Sequence, residues 1–227
     1  RRQVDGCISG KGTMDRDALR HWLDELRYPL HHFDFETMNP AVPLYDGSRP
    51  FQQLPFQYSL HIQDAPCGPV QHREFLGDGS GDPREALVQQ LLADIGPTGD
   101  ILAYYASFEI GRLRELARDL PHHAAAIAKL LPRIKDLIVP FKQGWYYSPA
   151  MNGSNSIKAV LPALVQGPEL DYHALNIQEG NTASLRYTQL AQGIYPGDAA
   201  QLRADLLAYC RLDTLAMVKV LGVLEGV

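Results

Sequence analysis

The segment HHFDFETMNP, residues 31–40, constrains the fold more than any other part of the chain. Aromatic and acidic residues alternate in it, in the order Phe33, Asp34, Phe35 and Glu36. Because successive side chains of a strand point to opposite faces of a sheet, the alternation predicts a strand with one apolar and one acidic face. Two carboxylates side by side on a strand suit Mg²⁺ or Mn²⁺, which prefer oxygen ligands. A strand with one face in water would also carry such acids, so this segment alone leaves both explanations open.

The rest of the sequence predicts a single large α/β domain. The chain has 227 residues, 45% of them hydrophobic and 21% charged, which is typical of a globular protein. Helix and strand signals alternate as in mixed α/β folds. In chain order they are a helix over 14–27, a strand over 28–36, a hairpin of FQYSLHIQ and VQHREFLG, a helix from Asp82 to Ile95, a strand DILAYYA, a helix capped by Ser107, a strand within PRIKDLIVP, and helical segments from Ile157 onward. We therefore predict residues 1–27 as a helical lead-in and residues 28–227 as the functional domain.

Net charge and hydropathy narrow the possible functions. The net charge is −5, whereas nucleic-acid-binding proteins usually carry a basic surface. This charge fits either a protein without a polyanionic partner or one whose acids are concentrated in a metal site that basic residues surround locally. No apolar run approaches the roughly 20 residues of a membrane span, and no secretory signal pattern is present, so we expect a cytoplasmic protein without membrane contacts. The chain begins with Arg-Arg instead of Met, which predicts that it is part of a longer polypeptide.

The cysteines are few and dispersed. Cys7, Cys67 and Cys210 form no CxxC pair, which disfavours both a disulfide framework and a zinc ribbon. Cys210 falls in a predicted helix and is expected to be a small core residue.

A second acidic position interrupts the apolar stripe of the predicted C-terminal helix. Asp213 shares helical spacing with Leu206, Tyr209 and Met217. Aspartate is rarely buried without a partner. Asp213 is therefore expected either to meet a cation or basic group or to lie at the edge of a cleft, one helical turn from Tyr209.

Glu109 is the third candidate. In the segment YASFEIGRL it precedes Leu113 and Leu116 at helical spacing, so it lies on a partly apolar stripe. An acid in the first turn of a helix is also favoured by the helix dipole, which gives Glu109 a purely structural explanation.

These acids occur in the order found in a known enzyme superfamily. The chain resembles the DEDD, or DnaQ-like, 3′–5′ exonucleases, whose first motif is matched by Asp34 and Glu36. Glu109 stands where the second motif has Asp, and the Tyr-x-x-x-Asp of the third motif, found in the tyrosine subclass, is matched by Tyr209 and Asp213. Over about residues 28–222, the segments FDFETMNPAVPLYDGSRPFQQLPFQYSLH, GSNSIKAVLPAL and YCRLDTLAM also resemble an uncharacterised bacterial domain family.

The superfamily resemblance implies a fold and an activity. The implied fold is ribonuclease H-like, with a mixed β-sheet flanked by helices, and the implied reaction is hydrolysis of DNA or RNA from the 3′ end. It further implies two Mg²⁺ or Mn²⁺ ions, with Asp34 bridging both, and a Tyr209 hydroxyl that orients the attacking water. Glu109 in place of Asp is interpreted as a tolerated variant. The alternative is a catalytically degenerate module that binds nucleic acid or regulates a larger nuclease or helicase.

Substrate contacts are sought among polar, basic and aromatic residues near these motifs. Single-strand binding requires positive groups for phosphates and aromatic faces for unstacked bases. The candidate contacts to single-stranded nucleic acid are Lys158, Arg49, Gln53, Gln57 and Tyr147. Lys158 is the preferred phosphate contact, while an aromatic residue such as Tyr147 is more often part of the core than a platform for a base.

Overall fold

A computed structural model describes residues 10–165, 167 and 170–226. Its centre is a five-stranded sheet in the order β4-β3-β2-β5-β6, and a short ribbon pairs β1 with β7. The strands are β1 (Thr13–Met14), β2 (Leu30–Met38), β3 (Leu54–Gln63), β4 (Val70–Leu76), β5 (Ile101–Ala103), β6 (Ile134–Asp136) and β7 (Tyr146–Tyr147). Strands β4, β3 and β2 are antiparallel, whereas β5 and β6 continue the sheet parallel to β2. The predicted α/β class is thus confirmed.

Eight α-helices surround the sheet within the described ranges. They are α1 (Arg16–Asp24), α2 (Arg84–Ile95), α3 (Ser107–Asp119), α4 (Ala124–Leu130), α5 (Val139–Lys142), α6 (Ile157–Leu164), α7 (Gly180–Ala191) and α8 (Ala199–Glu225). The predicted cap at Ser107 is wrong, because α3 begins at that residue and Ala106 occupies the capping position without a side-chain hydrogen bond. No helix in this part of the chain is long and apolar enough to cross a membrane.

The two faces of the sheet pack against different helices. Phe33 and Phe35 lie on one face, in a core cluster with apolar residues of α2, α3 and α4. The opposite face carries Asp34 and Glu36, which pair with Ser59 and Gln57 of β3. Helix α8 is joined to this polar face by the buried Gln57 amide, which donates to the Leu206 carbonyl at 2.8 Å.

The strand predicted over residues 28–36 begins and ends two residues too early. In the structure this strand, β2, runs from Leu30 to Met38, and a shift of register follows Glu36. Cys7 lies outside the described residues, Cys67 is exposed, and Cys210 is buried as expected.

Candidate metal centre

Asp34 and Glu36 form the first part of the site. Strand alternation places both carboxylates on the face covered by α8, where Glu36 is buried and Asp34 is partly exposed. The Cys210 thiol of α8 joins them, and the ligand atoms of the three side chains lie within 4.8 Å of one another. The Cys210 sulfur lies 3.8 Å from the Asp34 carboxylate, so the thiol forms part of the wall of the site.

Helix α8 adds Tyr209 and Asp213 to the same site. The rotation of the helix is fixed one residue beyond Asp213, where the Thr214 hydroxyl contacts Ser59 Oγ at 2.7 Å and His61 Nδ1 at 2.8 Å. This buried polar contact turns the preceding Asp213 toward the carboxylates of β2. Tyr209 is one helical turn earlier on the same side.

Glu109 completes the group of acids from the first turn of α3. The helix follows β5, which runs parallel to β2, and side chains at the ends of neighbouring parallel strands converge on one crevice. Glu109 is only 2% exposed. Its Oε2 atom is buried and accepts no hydrogen bond from the described residues.

The four acids line one cavity. Its volume is about 300 Å³, and its wall includes all four carboxylates together with Tyr209 and Lys158. We call this space the carboxylate cavity. In the part of the chain that the structure describes, none of the four acids forms an ion pair with Lys or Arg.

Burial and mutual repulsion keep these acids from ionising readily. Burial, followed by the charges of Asp213, Glu109 and Glu36, raises the pKa of Asp34 well above its usual range. Burial and Asp213 raise the pKa of Glu36 to about 8. Burial raises the pKa of Glu109 to about 8, and Asp136 adds to the shift. A group of buried acids with raised pKa values is characteristic of functional sites.

These residues fit a divalent cation of the Mg²⁺ or Mn²⁺ type. Such ions take carboxylate oxygens as ligands, and the cavity offers four carboxylates. The buried Glu109 Oε2 accepts no hydrogen bond from the described residues, and a cation would satisfy this oxygen by coordinating it. The first residue of α7, Gly180, has no side chain and so leaves space beside the acids. A Cβ atom at this position would lie 3.7 Å from Glu36 Oε2 and 4.0 Å from the Tyr209 hydroxyl.

Lys158 and Tyr172 form a second layer around the acids. Lys158 is an exposed residue whose ammonium lies 5.1 and 5.3 Å from the ring centres of Tyr172 and Tyr209 and donates to the Gln178 carbonyl at 2.6 Å. The Tyr172 hydroxyl donates to Asp213 at 2.7 Å. Tyr172 was not identified from the sequence, because it lies in a short 3₁₀ turn without a periodic pattern.

The other predicted substrate contacts divide into exposed and buried residues. Gln53 lines a neighbouring cavity of about 510 Å³ that also contains Glu36 and Lys158. Arg49 is exposed in the loop between β2 and β3. Gln57 and Tyr147 are buried, at 0% and 6% exposure. Since Gln57 holds α8 in place and Tyr147 pairs with β1, we correct the prediction that these two residues contact substrate.

Comparisons with known proteins identify relatives without a described activity. Residues 31–156 match the model of a family described as "Domain of unknown function (DUF2779)". A Mycoplasma pneumoniae protein named "Uncharacterized protein MG366 homolog" is 26% identical over 92% of the chain and 34% of its own length. "Uncharacterized protein UU173" of Ureaplasma parvum is 28% identical over 83% of the chain and 30% of its own length. The chain therefore spans about a third of the length of these curated relatives, and it matches no solved structure.

Proposed function

The chain belongs to the DUF2779 family, whose description gives no activity, so we propose a function from the site itself. We propose that the protein is a divalent-metal-dependent 3′–5′ exonuclease that acts on DNA or RNA. The observation that carries the proposal is the convergence of four carboxylates, two buried and two partly exposed, on one cavity without a Lys or Arg ion pair among the described residues. At about 4 Å and an effective dielectric near 20, each pair of like charges costs roughly 4 kcal/mol. A bound divalent cation would offset this repulsion, which explains why four carboxylates are held close together.

The proposal includes the tyrosine-subclass DEDD site and its fold. It is supported by the order of the motifs and by a sheet in which three antiparallel strands are followed by two parallel ones, with Asp34 and Glu36 on the central strand. We assign Asp34, Glu36, Glu109 and Asp213 as the residues that would hold two Mg²⁺ or Mn²⁺ ions. When bound, such ions activate a water molecule and neutralise charge on the phosphate that is attacked.

The side chains around the acids have complementary roles. Burial and the Asp213 charge raise the pKa of Tyr209, so its hydroxyl stays protonated at neutral pH and can donate to the attacking water or to a phosphate oxygen. The exposed residue Lys158 lines the cavity and offers a positive charge to a phosphate. Lys158 also lowers the pKa of Glu36 and Asp213, which favours the ionised form that binds a cation.

A single strand is the proposed substrate because aromatic side chains lie at the entrance of the carboxylate cavity. Tyr105 is 53% exposed and Phe108 is 37% exposed, and both line the cavity. Exposed rings next to acids and a lysine suit an unpaired base whose phosphate enters the cavity. Gln53 and Arg49 extend the polar surface on the side of the β2–β3 loop.

The proposal is tested with single-stranded DNA and RNA labelled at the 5′ end and incubated with Mg²⁺ or Mn²⁺. We expect a ladder of products shortened from the 3′ end, and a loss of roughly a hundredfold or more in rate for Asp34→Asn, because second-layer changes alone cost 10–100-fold at metal sites. Asp64→Asn, an exposed acid in the β3–β4 turn, is the matched control and should retain full activity. Binding of the labelled strand without cleavage would instead support the degenerate module.

A further inference from the structure

A second group of metal-ligand side chains lies on the surface at the start of α2. The carboxylate of Glu85 contacts two imidazoles, with His122 Nε2 at 2.9 Å from Oε2 and His123 Nε2 at 2.8 Å from Oε1. The two imidazole rings are 4.3 Å apart between their centres. None of the three residues lines the carboxylate cavity, so the group is separate from the proposed nuclease site.

Each ligand is carried by an ordered element. Glu85 is in the first turn of α2, and both histidines are in the 3₁₀ turn Pro121–His123 that follows α3. An ion pair of 3.2 Å between Arg84 and Asp119 joins the start of α2 to the last residue of α3, two residues before the turn that carries the histidines. The three donors are therefore brought together by the fold and do not depend on a flexible loop.

The donor set is typical of a transition-metal site. Imidazole nitrogen and carboxylate oxygen both bind Zn²⁺ at about 2.0–2.2 Å, and two histidines with one glutamate form a known type of three-ligand zinc site. Tetrahedral coordination at these lengths separates ligand atoms by about 3.3 Å. The separations of 2.8 to 3.1 Å between Glu85 and the imidazoles are close to this value, and the ligand atoms of all three residues lie within 4.8 Å of one another.

Solvent access and charge also suit an ion. The side chains of His122 and Glu85 are 60% and 44% exposed, so an ion can enter and water can complete its coordination. The His123 side chain is 15% exposed, which holds one ligand in place. The Glu85 carboxylate supplies a negative charge within reach of both imidazoles.

We propose that Glu85, His122 and His123 form a binding site for a first-row transition ion such as Zn²⁺, which joins the start of α2 to the turn after α3. Imidazole ligands select Zn²⁺, Cu²⁺ or Ni²⁺ over Mg²⁺. The ion would fasten the C-terminal end of α3, the helix that carries Glu109 in its first turn. This site does not depend on the nuclease proposal.

The experiment measures Zn²⁺ affinity by competition with a chromogenic chelator, using protein without a polyhistidine tag and with Mg²⁺ in excess. We expect His122→Ala and His123→Ala each to lower the affinity at least tenfold. His21→Ala is the matched control, because the exposed His21 faces a single carboxylate, Glu25, at 3.6 Å and has no second imidazole partner in that pair. Its affinity should stay within twofold of the original protein.

Cu²⁺ electron paramagnetic resonance supplies an independent readout. Imidazole ligands give nitrogen hyperfine splitting, which the oxygen ligands of the carboxylate cavity cannot give. We expect this splitting in the original protein and its loss in the His122→Ala, His123→Ala double variant. The proposal is overturned if the original protein shows no nitrogen coordination, or if Zn²⁺ affinity is unchanged in either single histidine variant.

Discussion

Asp213 differs from Asp34, whose carboxylate meets only the weak thiol donor of Cys210 at 3.8 Å among the described residues, because a tyrosine hydroxyl donates to it. The Tyr172 hydroxyl donates to it at 2.7 Å. Burial raises the pKa of Asp213, but only to about 6, because the hydrogen bond from Tyr172 and the charge of Lys158 lower it. The pKa of Glu36 and Glu109 is raised further, to about 8. Asp213 is thus mostly ionised at neutral pH. We infer that it can bind a cation without first losing a proton, unlike Glu36 and Glu109.

Replacement of Tyr172 tests whether its hydrogen bond keeps Asp213 ionised for cation binding. Tyr172→Phe removes the donor, raises the pKa of Asp213 and should weaken Mn²⁺ binding at pH 7 by about threefold to tenfold, or ~1 kcal/mol. The difference should shrink at pH 9, where Asp213 is ionised in both proteins. Calorimetric titration at the two pH values measures the effect.

Tyr104→Phe is the matched control for this experiment. Tyr104 also lines the carboxylate cavity, but its hydroxyl donates to the Asn155 carbonyl and to none of the four acids. Its loss should leave Mn²⁺ affinity unchanged. Equal Mn²⁺ affinities of Tyr172→Phe and the original protein at pH 7 would show that the Tyr172 hydrogen bond does not favour the ionised form of Asp213.

The sequence predicted some residues of the site and missed others for identifiable reasons. Strand alternation placed Asp34 and Glu36 on one face, and helical spacing placed Asp213 beside Tyr209, because both patterns depend only on local geometry. Tyr172 was missed because its contact with Asp213 joins distant segments. Gln57 was misassigned because an amide can bind substrate or a buried carbonyl equally well, and its residue type does not distinguish the two.

At the scale of elements, the start of α7 forms a wall of the carboxylate cavity. Gly180 is the first residue of the helix, and the space beside it lies between Glu36 and the Tyr209 hydroxyl. Helix N-termini carry a partial positive charge and free N–H groups, which favour nearby anions. A methyl group at position 180 would make ordinary van der Waals contacts, so it would occupy the space without displacing the acids.

Gly180→Ala should therefore separate activity from stability. We expect unchanged or slightly higher thermal stability, because alanine restricts the unfolded chain, and a clear loss of nuclease activity. Gly111→Ala is the control, since Gly111 is in α3 and a Cβ atom there would have no neighbour within 4 Å. Full activity of Gly180→Ala would show that this space is not used by substrate or metal.

The type and order of the elements were predictable, whereas their contacts were not. The hairpin of β3 and β4 and the helix at 84–95 followed from turn residues and periodicity. The rotation of α8 depends on Thr214 meeting Ser59 and His61, a contact between polar residues far apart in the chain. Apolar periodicity carries no information about such a contact.

For the whole molecule, the carboxylate cavity makes the stability of the metal-free protein dependent on pH. Folding raises the pKa of Glu36 and Glu109 to about 8, above the value of about 4.3 for an unperturbed glutamate. Between these limits the folded chain holds protons that the unfolded chain has released. Stability therefore falls as the pH rises toward 8, by up to about 1.4 kcal/mol per pH unit for each such proton.

Thermal unfolding in the presence of a chelator measures this dependence. The melting temperature should fall between pH 6 and pH 8, and the Glu36→Gln, Glu109→Gln double variant should show a flatter profile. Glu25→Gln, an exposed acid at the end of α1, should keep the original slope. A double variant with the original slope would contradict the assignment of these two groups.

Mn²⁺ binding to the metal-free protein is the direct test of whether the four acids are gathered to hold divalent cations. Calorimetric titration at pH 7 in buffers of different ionisation enthalpy measures both affinity and proton release. We predict saturable binding with release of protons, because Glu36 and Glu109 are protonated before the ion binds. Binding should be lost in Asp34→Asn and retained in Asp64→Asn. Absence of saturable binding, or unchanged binding in Asp34→Asn, would show that the four acids do not form a cation site.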